Sequence, residues 1–244
     1  MASKKKIKEP TIQKKPTTPF LNFKKVTLTE KQKQATKVIL DNKISVITGP
    51  PGTAKSFTAC NAAIKFLKEG TYSKIILIKP LNIIGSQSVG FLKGTLEDKL
   101  LIYREVFVDT FSMMIEERDV NHLFDEKIFE FKPVNFLRGT TFKNSFIIVD
   151  EFQQFCLHEL FAILTRLSST SRLCFIGDQG QADINKRYLA VNIFKSILSE
   201  SGDNIGMFEF DMKDTMRDPI LIRIMEVFEQ YKEKGLLPPN TNGA

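Results

Sequence analysis

The sequence predicts an α/β fold with a mainly parallel sheet flanked by helices. Two observations lead to this class. Short, continuous apolar runs alternate along the chain with helical patterns, as expected for strands buried on both faces and covered by helices. A glycine-containing loop, GPPGTAKS, follows the first of these strands and precedes a helix.

Five apolar runs are predicted as strands, and the first four are continuous rather than alternating. They are Ile44–Thr48, Lys74–Ile78, Ser145–Val149, Leu173–Ile176 and Met207–Phe210. In a parallel sheet built from such strands, ligands bind beyond the carboxyl ends. The polar motifs described below all fall at such ends.

Helical patterns precede, separate and follow these strands. They cover Thr29–Asp41, Lys55–Lys68, Leu96–Glu117, Leu157–Leu167, Lys186–Leu198 and Ile220–Lys234. The long pattern that starts at Leu96 suggests an insertion after the second strand. No internal repeat or low-complexity linker divides this region, so one domain is predicted.

The excess charge of the chain is confined to its N-terminus. The net charge is +7, and residues 1–25 hold eight lysines and one glutamate, which leaves 27 basic and 27 acidic side chains in the rest. We predict a basic disordered tail over residues 1–25, a single domain over 26–235 and a loose end over 236–244. The tail would either add non-specific affinity for nucleic acid or serve only as a solvated leader.

Several classes of protein are excluded by composition. Three well-separated cysteines, Cys60, Cys156 and Cys174, fit a reducing compartment rather than a disulfide framework or a zinc site. No apolar stretch approaches the roughly 18–20 residues that span a bilayer, and no apolar segment follows the N-terminal lysines as in a signal peptide. We therefore predict a cytoplasmic protein, in a bacterial cell or a phage-infected host, with no membrane partner.

The GPPGTAKS loop nearly matches the phosphate-binding pattern G-x-x-x-x-G-K-[ST]. In this pattern the backbone N–H groups cradle phosphates, the lysine reaches the β- and γ-phosphates of ATP, and the serine hydroxyl binds Mg²⁺. The alternative is a turn that caps a helix and holds no ligand. The predicted nucleotide-binding residues of the loop are Gly49, Pro50, Pro51, Gly52, Thr53, Ala54, Lys55 and Ser56.

Ala54 departs from the pattern because glycine normally stands before the lysine. If the backbone there has positive φ, alanine costs about 1 kcal/mol or more; if the loop is already turning into the helix, it costs little. The loop also resembles those of minichromosome-maintenance helicases and MoxR-type ATPases, which have alanine at this place.

Two further strand ends carry polar side chains. FIIVDE ends in Asp150 and Glu151, the form of a Walker B motif, in which the first carboxylate would hold Mg²⁺ and the second would activate water. The next strand leads into GDQGQ, where Gln181 could hold a water and a γ-phosphate oxygen together. The alternatives are exposed acids and a polar loop. Taken together, the motifs predict a RecA-like P-loop NTPase core.

Four stretches of the chain resemble the PhoH-like ATPases, which are relatives of superfamily 1 helicases. These stretches are GFLKGTLEDKL (Gly90–Leu100), FLRGTTFKNSFIIVDEFQ (Phe136–Gln153), LTRLSSTSRLCFIGDQGQADI (Leu164–Ile184) and DTMRDPILIRIMEVF (Asp214–Phe228). In addition, LTEKQKQA (Leu28–Ala35) resembles the glutamine motif of superfamily 1. Departures from the family pattern occur at Ala54, Lys79, Lys93, Phe152 and Asp218. Lys79 stands where relatives commonly have arginine, and it keeps the charge but not the planar donors.

The resemblance implies a Mg²⁺-dependent ATPase that acts as an oligomer, with a hexamer as the expected form, on RNA or single-stranded DNA. It further implies that Gln32 reads the adenine edge. Because the chain has room for one core, we expect a neighbouring subunit to supply an arginine; the candidates are Arg217, Arg166 and Arg138. Two alternatives stay open: an ATP-driven protein remodeller, and a nucleotide-binding switch with little turnover.

Overall fold

Six strands form one parallel sheet in the computed structural model of the chain, which describes residues 21–80, 96–137, 139–178 and 185–236. The strands are β1 Ile44–Thr48, β2 Lys74–Ile78, β3 Phe129–Phe131, β4 Ser145–Asp150, β5 Arg172–Gly177 and β6 Ile205–Glu209. Their order is β3-β2-β4-β5-β1-β6, and every neighbouring pair is parallel. The predicted α/β class is confirmed, and the described sheet is wholly parallel.

Helices cover both faces of this sheet. The covering helices are α1 Glu30–Asp41, α2 Lys55–Lys68, α3 Leu96–Ser112, α4 Glu117–Asp125, α5 Leu157–Leu164 and α6 Asn185–Glu200. The last helix, α7 Pro219–Glu233, places no described residue in the buried cores on the two faces. One core lies between the sheet and α1–α4, and the other between the sheet and α5 and α6. In β4, Phe146 and Ile148 enter the first core, while Ile147 and Val149 enter the second. Burial on both faces explains why this strand is continuously apolar.

Four strands differ from the sequence prediction: β4 and β5 extend the predicted runs by one residue, to Asp150 in β4 and at both ends in β5, and β3 and β6 differ more. β3 was not predicted, because its sequence Phe-Glu-Phe is three residues long with a charged residue in the middle. It is placed by pairing with β2, where Ile75 lies opposite Phe129. β6 begins at Ile205 rather than Met207, since its first residue pairs with Ile44 at the start of β1.

The predicted helix Leu96–Glu117 is wrong in its length. α3 ends at Ser112, and the chain turns before α4 begins at Glu117. The N-terminal segment explains this break, because Lys24 N donates to Met114 O at 2.7 Å and Phe23 forms an antiparallel bridge with Ile115.

Residues 21–24 therefore contact the folded body, although the sequence assigned them to the tail. Leu21 is buried, and both the backbone N–H and the side-chain amide of Asn22 donate to the Asp119 carboxylate. Residues 1–20 and 237–244 lie outside the described residues. So do residues 90–95 of the GFLKGTLEDKL stretch. Among the described helices, none combines the length and the apolar character needed to cross a membrane.

Candidate nucleotide site

A cavity of about 220 Å³ opens at the carboxyl ends of β1, β4 and β5, which are neighbours in the sheet. Its lining combines the loop after β1 with the ends of the other two strands. The lining residues are Pro51, Gly52, Ala54, Lys55, Ser56, Phe57, Asp150, Glu151, Gly177 and Asp178. The structure thus brings the loop, the acidic pair and the first two residues of GDQGQ into one concave site.

Glycines shape the loop where backbone geometry or space leaves no alternative. Gly49 has a φ of +149°, and a Cβ built there would lie 2.6 Å from the Cβ of Phe210. Gly52 has a φ of +85°. Thr53 follows Gly52, and its buried hydroxyl donates back to Pro50 O at 2.9 Å, which closes the loop. These constraints fix the path of the backbone around the cavity.

Ala54 has left-handed backbone geometry, with φ 61° and ψ 36°, and it is the N-cap residue of α2. Its side chain makes no capping hydrogen bond, although its carbonyl accepts from both the N–H and the hydroxyl of Thr58, each at 2.9 Å. Of the two alternatives raised by the sequence, the structure has the strained one. Alanine at this position costs about 1 kcal/mol or more relative to glycine.

Lys55 lies inside the loop. Its ammonium donates to the carbonyls of Gly49 and Pro50, both at 2.8 Å. Burial lowers the pKa of Lys55, while the nearby charges of Asp178, Glu151 and Asp150 act in the opposite direction. A largely buried ammonium that donates to carbonyl oxygens is a suitable donor for an entering phosphate.

Asp150 is contacted from both sides at the end of β4. Its Oδ1 accepts from the Ser56 hydroxyl at 3.3 Å and from the Glu151 N–H at 3.1 Å. Its Oδ2 accepts from the Lys79 ammonium at 3.0 Å. Oxygen donors of this kind suit Mg²⁺, which commonly takes one or two protein ligands together with phosphates and water. No cluster of three or more His, Cys, Asp or Glu side chains that could hold a metal occurs among the described residues.

Glu151 is held by a residue that the sequence analysis did not assign. The side-chain amide of Gln153 donates to Glu151 Oε2 at 2.6 Å, and its oxygen accepts from the Asp178 N–H at 3.2 Å. Gln153 is fully buried. It therefore bridges the ends of β4 and β5. A polar residue shortly after the acidic pair was the signal available in the sequence.

The environment of Glu151 raises its pKa above the ordinary value for a glutamate. Burial raises the pKa of Glu151, and the charge of Asp150 raises it further. The hydrogen bond from Gln153 and the charges of Lys79 and Lys55 act in the opposite direction. A carboxyl group with a raised pKa is a stronger base when ionised, which suits a role in activating water.

The Arg217 side chain packs against Gly52 in the 49–56 loop of the same chain. A Cβ built on Gly52 would lie 2.8 to 2.9 Å from Cγ, Cδ and Nε of Arg217, and the neighbouring Met216 N–H donates to Gly52 O at 3.0 Å. Gln32 is buried beside this contact. Its amide donates to Met216 Sδ at 3.1 Å, and its oxygen accepts from Thr29 N at 3.0 Å.

The remaining predicted site residues do not line the cavity or fall outside the described chain. The Arg166 guanidinium donates to Ala162 O at 3.3 Å and Thr140 O at 3.4 Å, so it fastens the end of α5 to the preceding loop. Gln181 and Arg138 lie outside the described residues.

Comparisons with known proteins show the family of the chain. The family model described as "PhoH-like protein" matches residues 26–229. The PhoH-like protein of Bacillus subtilis (strain 168) is 30% identical over 182 residues, which are 75% of this chain and 57% of that protein. The PhoH-like protein of Synechocystis sp. is 29% identical over 212 residues, covering 86% of this chain and 63% of that protein. The chain thus spans about three fifths of the length of these relatives.

Among solved structures, the large terminase of a thermophilic bacteriophage is similar with a TM-score of 0.49 and 9% identity. The match covers 82% of this chain and 50% of that one. Likeness at this level supports no functional inference.

Proposed function

The chain belongs to the PhoH-like family, and from this premise we propose that it is a Mg²⁺-dependent ATPase. One observation carries the proposal: a single cavity collects the loop lysine Lys55, the Ser56–Asp150 pair and the half-buried carboxyl group of Glu151. These are the groups needed to bind a triphosphate, hold its metal and activate water.

Binding of ATP would begin with its phosphates in the loop. The first residues of α2 line the cavity, and the free backbone N–H groups and the dipole at this end of the helix favour negative charge. The Lys55 ammonium would exchange its two carbonyl partners for phosphate oxygens. Mg²⁺ bound with ATP would neutralise phosphate charge, and Ser56 and Asp150 are the residues that would hold it.

Hydrolysis would depend on Glu151. Its carboxylate would accept a proton from the attacking water, and Gln153 would hold it in position from the β5 side. We propose that Gln181 assists by orienting the same water.

Arg217 would act on the nucleotide of its own subunit, because it already lies on Gly52 of that subunit's loop. We further propose an oligomer, in which a neighbour closes the open side of the site and can supply another arginine. Arg166 and Arg138 remain candidates for that role.

We propose RNA or single-stranded DNA as the partner, in the cytoplasm of a bacterial cell or a phage-infected host. Support comes from the relationship of the family to helicases and from the lysines before residue 26. A protein substrate is the second candidate, and a switch with little turnover is the third; the strained Ala54 keeps the third open.

The test is ATP hydrolysis by the purified chain, with and without single-stranded RNA and DNA, beside a direct measurement of ATP binding. We expect Lys55→Ala to abolish tight ATP binding and turnover. Lys68→Ala, at the other end of the same helix, is the matched control and should retain both.

Each outcome selects one candidate. Turnover that rises severalfold with one polymer supports the nucleic-acid role and identifies the polymer. Turnover that neither polymer changes favours a protein substrate. Binding without turnover would refute the ATPase proposal and favour the switch.

A further inference from the structure

Lys79 occupies a position that a divalent metal would need. It directly follows β2, and its ammonium lies 3.0 Å from Oδ2 of Asp150. The side chains are largely buried, with 19% of Lys79 and 7% of Asp150 exposed. The Ser56 hydroxyl and the Glu151 N–H contact the other carboxylate oxygen. Both oxygens of Asp150 are therefore engaged, one of them by a full positive charge.

Such a pair has consequences for the entry of a metal ion. A buried carboxylate without a cation is strongly destabilised, so Asp150 needs a counter-ion whenever no metal is present. An ammonium beside the same carboxylate repels a free divalent cation, because like charges that are close together and partly buried are weakly screened. A free metal ion must therefore displace the Lys79 ammonium from Asp150, and the displaced ammonium gains no new anionic partner.

ATP changes this balance because it brings its own negative charge. Lys55 lines the cavity, and the Lys79 ammonium lies at its edge through the contact with Asp150, which also lines it. A triphosphate in that cavity would give the Lys79 ammonium an alternative anionic partner. The Asp150 carboxylate would then be released toward the metal that accompanies the nucleotide.

We propose that Lys79 is the stand-in counter-ion of Asp150 in the nucleotide-free protein, and that it excludes free divalent metal until ATP enters. The proposal rests on the proposed nucleotide site. It goes beyond it by assigning Lys79 a positioning role, in which metal loading depends on nucleotide. The alternative is an ion pair that only stabilises the fold.

The test is the binding of Mn²⁺, as a probe for Mg²⁺, to the nucleotide-free chain. Binding is measured by the decrease of the free Mn²⁺ signal in electron paramagnetic resonance. We expect weak binding by the native chain. Lys79→Gln removes the charge and should tighten Mn²⁺ binding by about tenfold or more. Adding Asp150→Asn to Lys79→Gln should abolish that gain, which identifies the site that is measured.

Two controls separate this role from a structural one. Lys79→Arg keeps the charge and should bind Mn²⁺ as weakly as the native chain. Lys74, the first residue of β2, pairs instead with Glu130 of β3, so Lys74→Gln removes a different ion pair and should leave Mn²⁺ binding unchanged. A merely structural role for Lys79 predicts loss of thermal stability in Lys79→Gln with no gain in Mn²⁺ affinity.

Two results would overturn the proposal. One is folded Lys79→Gln protein with unchanged Mn²⁺ affinity. The other needs no variant: tight Mn²⁺ binding by the native chain in the absence of nucleotide, with a Kd of about 10 μM or below, would show that Lys79 excludes nothing. ATP binding is measured separately, so failure of the nucleotide site and failure of this proposal are distinguishable.

Discussion

The two walls of the cavity are built by different means. The loop wall, residues 49–56, takes its shape mainly from the backbone: two glycines with positive φ, carbonyls that hold Lys55, and the start of α2. The acidic wall, at the ends of β4 and β5, is held by side chains, with Lys79 on Asp150 and Gln153 on Glu151. Each wall contains one non-glycine residue in the left-handed region, Ala54 and Glu151.

This difference indicates how each wall should respond to mutation. A wall made by the backbone should respond to changes that add or remove a Cβ atom, mostly through stability and the fit of the phosphates. A wall made by side chains should respond to the loss of single polar groups, mostly through turnover. The experiments below test this contrast, from the largest expected effect to the smallest.

Glu151→Gln should have the largest effect. The amide keeps the size of the side chain but cannot accept a proton, so turnover should fall by about 10²–10⁴-fold while ATP binding is retained. Turnover and ATP binding would be measured on the same protein, with Glu69→Gln at the exposed end of α2 as the control. Turnover at the native rate would rule out Glu151 as the base.

Arg217→Ala should lower turnover by about a hundredfold with little change in ATP affinity, if the guanidinium stabilises charge that develops during phosphoryl transfer. Mixing Arg217→Ala with Lys55→Ala subunits tests which subunit it serves. Because Arg217 lies on its own loop, we expect no recovery of activity at any ratio. Recovery would place its action in the neighbouring subunit instead.

Gly177→Ala tests the bridge between β4 and β5. A Cβ at this position would lie 2.1 Å from Oε1 of Gln153 and 2.8 Å from the Phe152 ring, so the bridge must move. Turnover should fall by about tenfold or more. In a Gln153→Ala background the same substitution should cost less, because the closest clash has been removed; equal costs in both backgrounds would argue against the bridge.

Ala54→Gly should have the smallest effect, and it should be favourable. Glycine removes the left-handed strain and should raise the free energy of unfolding by about 1 kcal/mol, measured by denaturant titration. Gly70→Ala is the matched reverse change, since Gly70 has a φ of +65° with no atom within 4 Å of an added Cβ. It should lose a similar amount. No gain from Ala54→Gly would mean that the loop relaxes around alanine.

Much of the fold was predictable because its signals are local. β1 and α2 were predicted to the residue, since a continuous apolar run and an amphipathic pattern flank a glycine-containing loop. β3 was not predictable, because three residues carry too little pattern and only pairing with β2 makes them a strand. The end of α3 depends on the distant residues Phe23 and Lys24, which no local pattern reveals.

The candidate site divides in the same way. Lys55, Ser56, Asp150 and Glu151 were identified from their order at strand ends, because parallel strands bring such ends to one edge. Gln153 was missed because its partners Glu151 and Asp178 meet only when β4 and β5 lie side by side. Gln153 can bridge Glu151 and Asp178 only because the sheet places β4 beside β5, and the sequence around Gln153 does not show this.

The sequence by itself determined the class of fold, the edge of the sheet that carries the site and the chemical groups available there. Only the tertiary structure decided the conformation of Ala54, the pairing of Lys79 with Asp150, and the position of Arg217 on its own loop. The reason is physical: periodicity and strand-end motifs are encoded over a few residues. Backbone strain and buried ion pairs depend on which distant segments the packed core forces together.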